Sequence, residues 1–133
     1  MSEVPDVLVV GAGIAGLCAA LSARDLGATV EVLECAPCDQ RGGNTAFAAG
    51  SIRFCYNGVD DLLRVIPDLS SAEIENTDFG SYTDKYAEDM ERVTEGRADP
   101  KLVSALVDRS LDAVAWMRGK GVRFLPNYAR QSF

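Results

Sequence analysis

The stretch from Val7 to Leu33 leaves the chain few choices of fold. Val7-Leu-Val-Val10 is a short, uncharged, β-branched run that suits a central parallel strand buried on both faces. It runs without a spacer into Gly11-Ala12-Gly13-Ile14-Ala15-Gly16. From Ile14 to Leu26 the residues Leu17, Ala20, Leu21 and Ala23 recur at helical spacing, and Gly27 stands where such a helix would end. Thr29 to Leu33 then reads as a second strand. Strand, glycine turn, helix and strand in about thirty residues make a βαβ unit. Its strands are expected to be parallel and its crossover right-handed.

The glycine spacing adds chemistry to that topology. In G-x-G-x-x-G between a strand and a helix, Gly11 permits the tight turn, Gly13 lets backbone approach a pyrophosphate, and Gly16 lets the helix pack close to the strand. The helix N-terminus supplies unpaired N–H groups and a partial positive charge to phosphates. Glu34 follows Gly11 by 23 positions, at the end of the second strand, where a carboxylate accepts hydrogen bonds from ribose hydroxyls and repels a 2′-phosphate. Gly11, Ala12, Gly13, Ala15, Gly16 and Glu34 are therefore expected to hold the ADP half of a dinucleotide, and NADP is disfavoured.

Composition narrows the function classes. A chain of 133 residues with 47% hydrophobic content can build a core, and one globular unit is expected. Thirteen basic against twenty acidic residues, with no basic run, disfavour nucleic acid as a partner. Val7 to Ala23 is uncharged, but acidic residues precede it, glycines interrupt it, and it falls short of the roughly 18 apolar residues of a membrane span. A soluble, cytoplasmic protein is expected. Cys18, Cys35, Cys38 and Cys55 read as reduced thiols, and the Cys35-x-x-Cys38 pair lacks further ligands, so no metal is expected. With no histidine in the chain, acid/base chemistry would fall to Asp, Glu, Lys, Arg or Tyr.

Pro37 to Gly50 reads as a long functional loop. Helices are expected over Asp60 to Val65, after a Ser70 or Ser71 cap, through Tyr82, Tyr86, Met90 and Val93, and from Asp99-Pro100 onward. In the last of these, Leu102, Leu106, Val107, Leu111, Val114 and Met117 form a face expected to pack on the sheet, and Val122 to Leu125 follows as a strand. The fold class is α/β: a Rossmann-like unit with a parallel sheet, followed by several packed helices. Residues 1–55 hold the βαβ unit and the following loop, and residues 56–133 a mainly helical extension.

A second glycine-rich segment, Arg41-Gly-Gly-Asn-Thr-Ala-Phe-Ala-Ala-Gly50, separates the cofactor possibilities that the first leaves open. It resembles the segment near the flavin end of FAD in the flavoprotein group of succinate dehydrogenases, fumarate reductases and 3-ketosteroid dehydrogenases. Gly43, Asn44, Thr45, Ala49 and Gly50 are by this resemblance further FAD-binding residues. Ser51-Ile-Arg-Phe-Cys-Tyr-Asn-Gly-Val-Asp-Asp-Leu62, Asn76-Thr-Asp-Phe-Gly80 and Trp116-Met-Arg-Gly-Lys-Gly-Val-Arg-Phe124 extend the resemblance towards the FAD-dependent tricarballylate dehydrogenases. This implies oxidation of a saturated carbon–carbon bond of a small polycarboxylate, with an iron–sulfur membrane protein as electron acceptor and a place at the inner face of the membrane. Succinate dehydrogenases attach FAD through a histidine of this loop, and Asn44 stands at the corresponding position, so noncovalent FAD is implied.

The resemblance also implies that the chain is an N-terminal part of an FAD-binding domain. The capping, substrate-binding domain and a later FAD segment would lie beyond Phe133, so the catalytic residues of the group have no counterparts to assign and the chain alone is expected to be inactive. The remainder of the chain or a further subunit would complete it. Arg53 is the best candidate for a substrate carboxylate, with Arg123 and Arg130 behind it. Tyr82, Tyr86 and Trp116 read as packing residues. Two other readings are an NAD-binding oxidoreductase domain, disfavoured by the second glycine loop, and a noncatalytic nucleotide-binding module.

Overall fold

The computed structural model describes residues 4–128. It has two compact units, Met1–Ile52 and Arg53–Phe133, where composition alone leads to a single one.

In the first unit, β1 (Val7–Val10), α1 (Ile14–Asp25) and β2 (Val30–Leu33) follow the expected order. The strands are parallel, with Val7 opposite Val30 and Val10 opposite Leu33. Polar contacts pin this register at both ends. Before the strands, the Thr29 backbone N–H and hydroxyl donate to Asp6 Oδ2 at 2.8 and 2.7 Å. After them, the Gly11 N–H donates to the Leu33 carbonyl at 2.7 Å. α1 packs on both strands, and Gly16 makes that approach possible, since a Cβ there would lie 2.0 Å from the Gly11 carbonyl oxygen and 3.3 Å from Val9 Cγ1.

β1 differs from expectation in its burial. Val7 and Val9 are half-buried, but Leu8 is 53% and Val10 80% exposed. A two-stranded sheet covered by one helix shields one face only. Ala20 is the one buried residue of α1. The expected loop over Pro37 to Gly50 contains a short 3-10 helix, Gly43–Phe47.

In the second unit, α2 (Val59–Val65), α3 (Ser71–Asn76), α4 (Asp84–Thr94) and α5 (Pro100–Gly119) surround a core of Leu62, Val65, Ile66, Leu69 and Val114. Local chemistry sets their starts. Ser70 and Glu73 form a reciprocal capping box on α3, and Asp99 accepts the Lys101 N–H at 2.8 Å ahead of Pro100. An antiparallel bridge joins Asn57 and Ser81, and Asn57 Oδ1 also accepts from the Ser81 and Thr83 hydroxyls.

Three expectations are corrected here. Leu102 and Leu106 of the α5 face are exposed, and the buried side of that helix meets α2 and α4. Val122 to Leu125 forms no strand, because it gains no ladder partner among the described residues, although Phe124 packs on the helical core. Tyr82 precedes α4 instead of belonging to it. Tyr86 is buried as expected.

Candidate functional site

The glycine turn lies between β1 and α1. Gly11 has φ +98°, a left-handed conformation that glycine adopts without strain, and among the described residues nothing beyond its own chain neighbours lies within 4 Å of the position its Cβ would take. α1 begins at Ile14 with Gly13 as its N-cap and no side-chain cap of its own. Its first N–H groups have no intrahelical acceptor and face the turn. This is an open cradle with backbone donors at a helix N-terminus, the arrangement that suits a phosphate.

Glu34 sits at the end of β2, and its carboxylate reaches back to the turn. Oε2 accepts the Ala12 N–H at 2.9 Å and Oε1 accepts the Ala36 N–H at 3.0 Å. These bonds favour the charged form, so the carboxyl titrates below the ordinary glutamate range, chiefly through the Ala36 N–H and then the Ala12 N–H. A carboxylate has about four lone-pair sites, and two of those on Glu34 hold the backbone, leaving capacity for ribose hydroxyls.

The second glycine segment rests on the first. Thr45 Oγ1 accepts the Ile14 N–H at 3.0 Å. The Gly42 carbonyl oxygen and Thr45 Oγ1 lie 3.6 and 3.7 Å from the position of a Cβ on Gly13. The 3-10 helix that carries Asn44 and Thr45 thus meets the start of α1, and Asn44 itself is exposed. Ala49, at φ +51°, and Gly50, at φ +69°, close the segment in the left-handed region. For alanine that conformation carries strain, of the kind that collects at ligand-binding segments. The geometry brings Gly11, Ala12, Gly13, Glu34 and Thr45 together. Sequence reasoning missed the Thr45 cap, although a signal existed: α1 has glycine at its own N-cap, so its acceptor must come from elsewhere.

Arg53 belongs to the second unit, where its exposed side chain reaches Tyr82 and Asp89. Nη1 donates to the Tyr82 hydroxyl at 3.3 Å and lies 3.7 Å from Asp89 Oδ2. The Tyr82 hydroxyl donates to Asp89 at 2.5 Å, and Arg92 donates to the same carboxylate at 2.7 Å. Burial, then the hydrogen bond to Asp89, push the Tyr82 hydroxyl above the usual tyrosine range. Asp89 is held low, chiefly by Arg92 and then by Tyr82. Arg123 pairs with Asp68 at 2.8 Å, and Arg130 lies outside the described residues.

Other candidates offer less chemistry. A cleft of about 240 Å³ between α2 and α5 is lined by Asp61, Arg64, Asp108 and Asp112, and Arg64 pairs there with Asp112 at 2.6 Å and Asp61 at 3.8 Å. Cys35 and Cys38 are exposed, and Cys55 is buried with its thiol pushed up, chiefly by burial. Among the described residues, no three His, Cys, Asp or Glu side chains gather as they would around a metal ion, and no helix is long and apolar enough to cross a membrane. Trp116 carries the Lys120 ammonium 5.5 Å from its ring centroid.

Comparison with known proteins agrees with the cradle. Residues 6–132 match the FAD binding domain family. A fumarate reductase (cytochrome) of Shewanella frigidimarina is 34% identical over 116 residues, 87% of this chain and 18% of that protein. A probable fumarate reductase of Shewanella frigidimarina strain NCIMB 400 is 31% identical over 126 residues, 90% of this chain and 18% of that protein. An L-aspartate oxidase of Mycobacterium leprae strain TN is 34% identical over 121 residues, 90% of this chain and 19% of that protein. The chain therefore spans less than a fifth of the length of these relatives. FAD is the cofactor of the matched family, and the matched residues include the turn at Gly11 to Gly16. The chain belongs to the FAD binding domain family.

Proposed function

We propose that this chain supplies the dinucleotide-binding part of a flavin-dependent dehydrogenase that oxidises a carbon–carbon bond of a small polycarboxylate such as tricarballylate. One observation carries the cofactor reading: the second glycine segment touches the phosphate-binding turn, with Thr45 Oγ1 3.0 Å from the Ile14 nitrogen. A site for a mononucleotide needs the first turn alone. In this reading Gly11, Ala12, Gly13, Ala15 and Gly16 receive the pyrophosphate, and Glu34 receives the adenosine ribose. Gly43, Asn44, Thr45, Ala49 and Gly50 face the flavin half, which supplies hydride-accepting chemistry when bound.

Asn44 cannot form the histidyl link of the succinate dehydrogenases, so FAD is held noncovalently. Residues 1–55 form the nucleotide-binding part and 56–133 its helical extension, with the substrate pocket supplied by the rest of a longer protein. Arg53, half-exposed and 3.7 Å from Asp89 through Nη1, is the candidate carboxylate ligand that this chain would contribute to that pocket. The names of two relatives point to four-carbon dicarboxylates as substrates, which suits a carboxylate-binding enzyme. The protein would work in the cytoplasm and pass electrons to an iron–sulfur partner at the membrane.

The test is an absorbance spectrum of the full-length protein before and after acid precipitation, followed by addition of tricarballylate without oxygen. The expected result is a yellow protein whose flavin enters the supernatant and whose visible band bleaches with tricarballylate. Flavin retained in the pellet sinks the noncovalent assignment. Bleaching by succinate but not by tricarballylate moves the substrate to a dicarboxylate, and a colourless protein that binds only ADP or NAD overturns the flavin reading.

A further inference from the structure

A helix that starts with glycine at its N-cap has no side chain of its own for its first N–H groups. α1 is such a helix, and the acceptor for Ile14 N–H comes from 31 residues away, at Thr45 Oγ1. The contact is supported from below. Gly42, at φ +106°, opens the 3-10 helix, and its carbonyl accepts the Thr45 N–H at 3.2 Å, which fixes Thr45 over Gly13. Seen from the turn, Gly42 and Thr45 are the nearest atoms to the side-chain position of Gly13.

We infer that Thr45 is a positioning residue of the dinucleotide cradle, acting through the N-terminus of α1 as well as through the loop that carries it. Its hydroxyl is a neutral acceptor. It satisfies one orphan N–H and fixes the start of the helix without cancelling the partial positive charge that attracts phosphate. A carboxylate in its place would satisfy the same N–H and repel the ligand. The hydroxyl also ties the second glycine segment to the first before any cofactor arrives, so less ordering is left to be done on binding.

This inference rests on the proposed dinucleotide site, and ADP separates the two. ADP has no flavin half, so a residue that only touches flavin leaves its affinity unchanged. The experiment uses the full-length protein stripped of flavin, titrated with ADP by calorimetry, in wild-type, Thr45→Val and Thr45→Ser forms, with amide exchange followed at Ile14. Thr45→Val is expected to weaken ADP binding by roughly fivefold, the loss of one capping bond, and Thr45→Ser to restore it. In the wild-type protein without nucleotide, Ile14 exchanges more slowly than Ala15. Equal ADP affinity in Thr45→Val, failure of serine to rescue, or an unprotected Ile14 amide in the wild type overturns the inference, the last even if the valine variant does not fold. A wild-type protein that does not bind ADP sinks the site itself, and the inference with it.

Discussion

Glu34 shows what a single residue can reveal in one dimension and what it cannot. Its distance from Gly11 and its place after a β-branched run make it a candidate ribose ligand from sequence. That its carboxylate also holds the turn, through Ala12, depends on the curl of the chain after β2 and has no linear signature. The same holds for Arg53, a candidate substrate ligand by residue type, whose neighbours Tyr82 and Asp89 have no linear signature. Holding two N–H groups keeps the Glu34 carboxyl below its ordinary range. A folded-state pKa below the unfolded value of about 4.3 contributes stability above that pH, which is lost as pH falls through the lower, folded value. ADP affinity should therefore be insensitive to Glu34 titration from pH 7 to about 5 and decline further down. In Glu34→Gln the amide nitrogen replaces one acceptor, so one of the two N–H groups loses its partner. The variant is expected to bind ADP more weakly at pH 7 and to lack the acid decline attributable to this carboxyl. Calorimetric titrations across pH check both, and matching pH profiles for the two proteins would refute the assignment.

At the scale of elements, starts and stops written in local chemistry were legible. The bounds of β1 match the sequence reading, though not its burial, the Ser70 and Asp99 caps lie where side-chain acceptors were expected, and Gly27 follows the end of α1. Val122 to Leu125 failed because a strand is defined by its partner, and no run of residues states whether a partner exists. The α5 stripe was read correctly as apolar, but periodicity does not say what it meets. Gly16 lies between these cases. Its role in helix–strand packing follows from the motif, while its severity is seen only where a Cβ would come within 2.0 Å of the Gly11 carbonyl oxygen. The obstacle is backbone, so the helix or the turn has to move. Gly16→Ala is expected to destabilise the first unit by on the order of 1–3 kcal/mol and to weaken ADP binding, because the displaced turn carries the donors. Gly119→Ala is the control, since nothing lies within 4 Å of that position. Urea unfolding followed by circular dichroism compares each variant with the wild type, and a first-unit transition left unmoved by Gly16→Ala would remove the packing argument.

Over the whole molecule, apolar burial is unevenly divided. The second unit gathers Leu62, Val65, Ile66, Leu69 and Val114 into one buried cluster. In the first, Ala20 is buried while Leu8, Val10, Ile14, Leu17, Leu21 and Leu33 are each at least 40% exposed. Composition could not foresee this, because it counts apolar residues without saying which of them find neighbours. Burial of apolar area supplies most of the free energy that opposes chain entropy. The first unit should therefore open more readily than the second, in separate cooperative steps. Amides of β1, β2 and α1 are expected to exchange faster than those around Val65 and Val114. A ligand that binds only the folded first unit stabilises it by mass action, by about 2.7 kcal/mol at a hundredfold excess over its dissociation constant. ADP or FAD should slow exchange in the first unit and leave the amides of α5 unchanged. Hydrogen exchange with and without nucleotide, combined with urea melts read at both units, tests this arrangement. A single coincident transition, with ligand protection spread evenly over both units, would show that the two share one cooperative core and that the uneven burial has no energetic consequence.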